Sequence, residues 1–122
     1  MKLINNFFYI ISTASEEGTY RCKVKLNAFH DFYRVHFPGN PVTPGVCLVQ
    51  MAAEILEQRY SRKFMLCKAS NIKFKKLVGP QEEPEFVFTK IVMTDEQLCA
   101  NVSVEDSDIQ FVKMSLHYKI ID

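Results

Sequence analysis

Glycine and proline are scarce, four and five in 122 residues, which excludes a fibrous repeat or a low-complexity disordered chain. No run of 18 apolar residues occurs, so no membrane-spanning helix is expected. The cysteines Cys22, Cys47, Cys67 and Cys99 form no C-x-x-C pair. That spacing predicts neither a zinc site nor a redox motif, but buried free thiols in a reducing compartment. The opening stretch MKLINNFFYIISTAS has an apolar patch that Asn5 and Asn6 interrupt, so no signal peptide is expected and the cytoplasm is the default location. Net charge is only +1 and no nucleic-acid motif is present, which argues against a nucleic-acid partner.

What is present is an ordinary globular composition, 48% hydrophobic, at a length that suits one core and one domain over residues 1–122. FFYIIST (7–13) and YRCKVKL (20–26) are aromatic and β-branched, with SEEG between them, and predict an antiparallel hairpin. NAFHDFYRVHFPGNPVTPG holds three prolines and two glycines and reads as a long irregular segment, a length that usually serves function. VCLVQMAAEILEQRY then lacks both residues and is apolar on nearly every face, predicting a central helix over about 45–60, buried on most sides. KASNIKFKKLV, EFVFTKIVM, QLCANVSVE and IQFVKMSLHYKII read as four further strands with short turns between them. The expected class is α+β, a sheet packed on one long helix. A single sheet covers one side of such a helix, which points to a dimer.

HFPGNPVTPGV at 36–46, followed by an apolar helix, resembles the signature of the β-hydroxyacyl-acyl-carrier-protein dehydratases of the hotdog superfamily. KLNAFHDFYRVHF before it and NIKFKKLVGP after it are similar to the family's flanking segments. The resemblance implies a hotdog fold, an antiparallel sheet wrapped around one long central helix. It also implies elimination of water from a (3R)-hydroxyacyl thioester in fatty-acid or related acyl-chain synthesis, with no cofactor and no metal. Expected partners are an acyl carrier protein or other acyl thioester. The expected assembly is a homodimer or higher oligomer, or a heterodimer with a related hotdog subunit.

Such elimination needs a base at C2, an electrostatic partner for the enolate-like oxygen and an acid for the departing hydroxyl. His36 suits the base, since a neutral imidazole accepts a proton at neutral pH, and by resemblance it is the family's catalytic histidine. The rigid Pro38-Gly39 step would fix its loop, and Phe37, Pro38 and Gly39 are expected to contact substrate. Pro44 suits a helix start, and the N–H groups of Gly45 and Val46 would face the thioester carbonyl from the positive end of the helix.

The third role departs from the family pattern. Fourteen residues after the histidine the family carries an acid, and here that position is Gln50; one turn on, where the family often has Gln, stands Glu54. Three readings stay open: Glu54 takes the acid role, Gln50 only orients substrate at reduced rate, or the domain binds acyl groups or a partner dehydratase without turnover. An acyl thioesterase of the same fold is a further alternative.

Between Arg59 and Lys76 lie seven basic residues and no acid. Of these Arg59, Arg62, Lys73, Lys75 and Lys76 are the expected carrier-docking set, with solvated lysines on an edge strand the alternative. His30 is expected to be a surface loop histidine, and His117 a sheet-face residue. Phe29, Phe32, Tyr33 and Phe37 would line an acyl tunnel or anchor the loop. Cys47 is expected in the core, and Met51 and Met65 would fill a tunnel or the core.

Overall fold

The computed structural model describes residues 2–35 and 39–122. Six strands form one antiparallel sheet: β1 (Phe8–Glu16), β2 (Thr19–Leu26), β3 (Phe64–Phe74), β4 (Glu85–Met93), β5 (Gln97–Asp106) and β6 (Ile109–Ile120), in the order β1-β2-β4-β5-β6-β3. Two helices complete it, α1 (Asp31–Val35) and α2 (Gly45–Tyr60). Among the described residues no helix is long and apolar enough to cross a membrane.

Alternation decides which side of the sheet meets α2. In β5 the residues Leu98, Ala100, Val102 and Val104 are buried, and in β6 Val112, Met114, Leu116 and Tyr118 are; their odd-numbered neighbours Asn101, Ser103, Ser115 and His117 stay partly open. A period of two puts one set on each face. The inward set packs with Met51, Ala52, Ile55 and Leu56 of α2 and with Phe7, Phe8, Phe86 and Phe88 into one core.

Register shifts occur at Ile10/Ser12 in β1, Ser70/Lys73 in β3 and Thr89/Val92 in β4. Asn71 and Lys90, within the latter two, adopt φ near 53° and 50°. Bulges of this kind bend strands and increase twist, which curves the sheet about the helix.

The helix and β4 have the expected bounds, and β2, β5 and β6 fall within a residue of theirs; β1, β3 and the segment before α2 differ from expectation. Ser15 and Glu16 belong to β1, so the first turn shrinks to Glu17-Gly18, both at positive φ, as a two-residue hairpin loop requires. The third strand starts at Phe64 and ends at Phe74, because Lys75 and Lys76 leave it to donate their backbone N–H groups to the Phe111 carbonyl. The irregular segment contains one short helical turn, α1.

The sheet is not alone in covering α2. The N-terminal residues Leu3 and Phe7 are fully buried, and both contribute to the core. On α2 Val46, Gln58 and Arg59 are exposed, and Val49, Gln50, Ala53 and Glu57 form a half-buried stripe between them. The larger exposed apolar surface lies on β3, at one edge of the sheet, where Met65, Leu66, Ile72 and Phe74 are exposed.

Tyr118 is fully buried with its ring tilted against Phe64 at 5.7 Å, and its hydroxyl finds no hydrogen-bond partner among the described residues. Burial, with Glu57 nearby, holds the phenol far above its ordinary titration range. A buried hydroxyl without a partner carries its desolvation cost uncompensated. Tyr118→Phe should therefore raise unfolding free energy by up to ~1 kcal/mol, read from urea denaturation; a clear loss would show that the hydroxyl is satisfied in solution.

Candidate active site at the start of the central helix

The chain enters α2 through Val42, Thr43 and Pro44. Pro44 stands at the N-cap with φ −60° and ψ 141° and offers no capping side chain. Its carbonyl accepts from the N–H groups of Cys47 (3.0 Å) and Leu48 (3.3 Å). The N–H groups of Gly45 and Val46 thus precede the first intrahelical bond and carry the positive end of the helix dipole.

Two interactions not foreseen from the sequence hold this entrance. Tyr33 of α1 and Thr43 are both buried and share a hydrogen bond of 2.8 Å, and the Thr43 N–H donates to the Val78 carbonyl at 2.7 Å. The first bond pins together the two ends of the segment that carries His36; the second ties the helix start to the irregular stretch after β3. Burial pushes the Tyr33 phenol up to about 12, overriding the lowering effect of the bond to Thr43. Tyr33 also stacks on Phe7 at 5.3 Å, so α1 is held by aromatic packing.

A groove of about 360 Å³ opens at this point, with Gly45, Leu48, Phe74, Leu77 and Val78 as largely apolar walls and Lys75 and Lys76 at its lining. Phe74 lies so close to the helix start that a Cβ on Gly45 would stand 2.8 Å from its Cζ atom. Glycine at 45 is what lets that ring approach.

His36, Phe37 and Pro38 lie outside the described residues. Gly39, just after them, is exposed at φ 86°, a conformation that favours glycine. Gln50 is half-buried in the second turn of α2, and its Nε2 donates to Glu54 Oε2 at 2.9 Å. Glu54 is 4% exposed, and its carboxylate also accepts from the backbone N–H groups of Leu3 (2.9 and 2.8 Å) and Ile4 (2.7 Å). The two residues expected to share a helix face do share it, with Glu54 already engaged by the N-terminal segment.

The expected basic set divides. The Arg59 guanidinium sits 4.0 Å over the Tyr20 ring and 5.5 Å from that of Tyr60, and Arg62 pairs with Asp122 at 2.9 Å. Lys75 and Lys76 line the groove, Lys75 donating to Gln110 at 2.6 Å, while Lys73 follows the bulge of β3. The arginines belong to the opposite end of α2, roughly 20 Å along its axis.

Of the loop aromatics, Phe29 is exposed, Phe32 is half-buried and Tyr33 is in the core. His30, expected at the surface, is instead half-buried against Phe7 and Phe32, its Nδ1 accepting from the Phe32 N–H at 3.1 Å. His117 lies on β6 and bonds to Gln97 at 2.8 Å. Of the cysteines expected to be buried, Cys22 and Cys47 are, while Cys67 on the edge strand β3 is exposed and Cys99 half-buried; burial raises the Cys47 thiol above the ordinary range, which opposes a thiolate at the helix start.

Residues 12–112 match the family model of the ApeI-like proteins, described as ApeI dehydratase. The chain belongs to the ApeI-like dehydratase family. It is 28% identical over 102 residues to the 3-hydroxyacyl-acyl-carrier-protein dehydratase FabZ of Acetivibrio thermocellus, covering 72% of this chain and 70% of that one. To FabZ of Bacillus velezensis it is 35% identical over 81 residues, 60% of this chain and 57% of the relative. Among solved structures it resembles the dehydratase heterocomplex ApeI:P from Xenorhabdus doucetiae, with TM-score 0.66 at 15% identity, covering 91% of this chain and 96% of that one. It also resembles smu.793 from Streptococcus mutans bound to acetyl CoA, with TM-score 0.66 at 11% identity, covering 93% and 88%. The fold is the hotdog fold.

Thr43→Val keeps the shape of the residue but leaves the buried Tyr33 hydroxyl without its partner. A loss of ~1–3 kcal/mol in unfolding free energy is expected, and the double variant with Tyr33→Phe should lose less than the sum of the two single changes. Additive losses in such a cycle would mean that the two hydroxyls do not interact.

Proposed function

We propose that this protein acts on 3-hydroxyacyl thioesters at the start of α2, as a (3R)-hydroxyacyl-acyl-carrier-protein dehydratase of fatty-acid or related acyl-chain synthesis. The observation that carries the reading is the apolar groove lined by Pro44, Gly45 and Leu48 at the start of α2, where the first N–H groups have no intrahelical acceptor, with Gln50 on the second turn of the same helix. Family membership and the FabZ relatives support the same chemistry.

In this reading the thioester carbonyl faces the two N–H groups, whose dipole stabilises the negative charge that grows on oxygen as C2 loses its proton. His36 takes that proton. The bond from C3 to the hydroxyl then breaks as the C2–C3 double bond forms. The departing oxygen needs a proton; Gln50 can hold it by hydrogen bonds but cannot supply one, so the proton comes from the imidazolium or from water. Phe37, Pro38 and Gly39 shape the loop around the base, and the groove walls take the acyl chain. Glu54 is the only carboxylate within one turn of Gln50 on this helix, but serving as the acid would require it to release the Leu3 and Ile4 N–H groups. Lys75 and Lys76 line the groove and suit an acidic carrier, while Lys73 lines a separate pocket with Asn71 and Lys113, and Arg59 and Arg62 are occupied at the far end.

A second reading has support of its own. The exposed apolar residues of the β3 edge suit pairing with another hotdog chain, a second copy or a related subunit, which would supply the missing acid. The neighbour ApeI:P is itself a heterocomplex.

Incubation with a 3-hydroxyacyl thioester, with products followed by mass spectrometry, should give the enoyl thioester, and His36→Ala should abolish it. Lacking a general acid, turnover should be lower by roughly 10²–10⁴ than with a carboxylic acid in place. Formation of free acid and thiol would favour a thioesterase instead. No product from the chain alone but turnover on adding a related hotdog subunit would favour the helper reading.

A further inference from the structure

A carboxylate buried in an apolar helix must be compensated, and Glu54 is compensated in an unusual way. No ion pair to it exists among the described residues. Instead its two oxygens accept from Leu3 N–H, Ile4 N–H and Gln50 Nε2, at 2.7 to 2.9 Å. Leu3, 51 residues away in sequence, is 1% exposed. Facing a carboxylate, a glutamine amide can present only its nitrogen, so this bond also decides which way the Gln50 amide lies.

We propose that Glu54 is a positioning residue: it latches the N-terminal segment onto α2 and holds the Gln50 amide with its nitrogen inward, so that positions 50 and 54 work only as an amide and carboxylate pair. The role of Gln50 at substrate rests on the dehydratase reading; the latch does not. The same pairing constrains position 50, where the family pattern has an acid. Gln50→Glu alone would set a second carboxylate where Nε2 now stands 2.9 Å from Glu54, and like charges at that distance oppose joint ionisation. The acid can be restored at position 50 only together with Glu54→Gln, whose amide would donate to the new carboxylate and keep one oxygen for the N-terminal N–H groups.

The test is amide hydrogen exchange at Leu3 and Ile4 in the full chain, comparing the natural protein with Gln50→Glu, Glu54→Gln and the paired exchange. Each single change should speed exchange at these two amides by roughly 10- to 100-fold, as loss of hydrogen bonds to a charged group implies, while amides of the β5–β6 ladder stay as they are. The paired exchange should be slower than Gln50→Glu alone. In turnover, Glu54→Gln should raise KM with little change in kcat, since it loosens a substrate contact, and the paired exchange should exceed Gln50→Glu in kcat. Unchanged exchange at Leu3 and Ile4 in Gln50→Glu, or a paired variant no better protected than that single one, would overturn the proposal. If Glu54→Gln alone does not fold, the order of the other three proteins still decides it. Absence of turnover in every variant would count against the dehydratase reading and leave the exchange result to decide the latch.

Discussion

A carboxylate inside an apolar helix is the constraint around which this structure is arranged. Removing Glu54 from water is costly unless its lone pairs are filled, and they are filled by the backbone of the chain's first residues and by the side chain one turn earlier. The N-terminal segment is thereby drawn over a flank of α2 that the sheet does not reach, which places Leu3 and Phe7 in the core. Phe7 in turn stacks on Tyr33, and Tyr33 bonds to Thr43 at the helix start. A contiguous chain of contacts therefore runs from the buried acid to the groove.

The two ends of α2 have different characters for related reasons. At its start the backbone offers N–H groups without helical acceptors and the neighbouring side chains are apolar, so an electron-rich carbonyl at the head of an acyl chain suits both features. At its end Ser61 closes the helix in the left-handed conformation, and the arginines are consumed by Tyr20, Tyr60 and Asp122. Cation–π and ion-pair contacts at a surface contribute modestly each, but they remove those cations from the pool available to a partner. At the groove, Lys75 and Lys76 remain in the lining.

Strand positions and the helix start were legible because they follow local rules. Even-numbered burial along β5 and β6 is the alternation visible in QLCANVSVE and IQFVKMSLHYKII, and Pro44-Gly45 marks the helix start through the fixed φ of proline. The latch was not legible, because nothing local links Glu54 to Leu3 across 51 residues; the signal was an acid at a buried helix position, which states a need without naming the partner. The same holds for Tyr33 and Thr43, ordinary loop residues until the fold brings them together. The basic stretch appeared continuous because a strand folding back along a helix separates sequence neighbours in space. Of the site itself, the helix N–H groups and the Gln50–Glu54 pairing follow from sequence spacing, while the orientation of the pair required the fold.

The proposed chemistry takes a proton from C2 of an acyl thioester bound at the start of α2. Supplying a 3-hydroxyacyl thioester deuterated at C2 and following the label by mass spectrometry tests it directly. Loss of label from C2 is expected with the natural protein and none with His36→Ala. Label retained with the natural protein, alone and together with a related hotdog subunit, would contradict it.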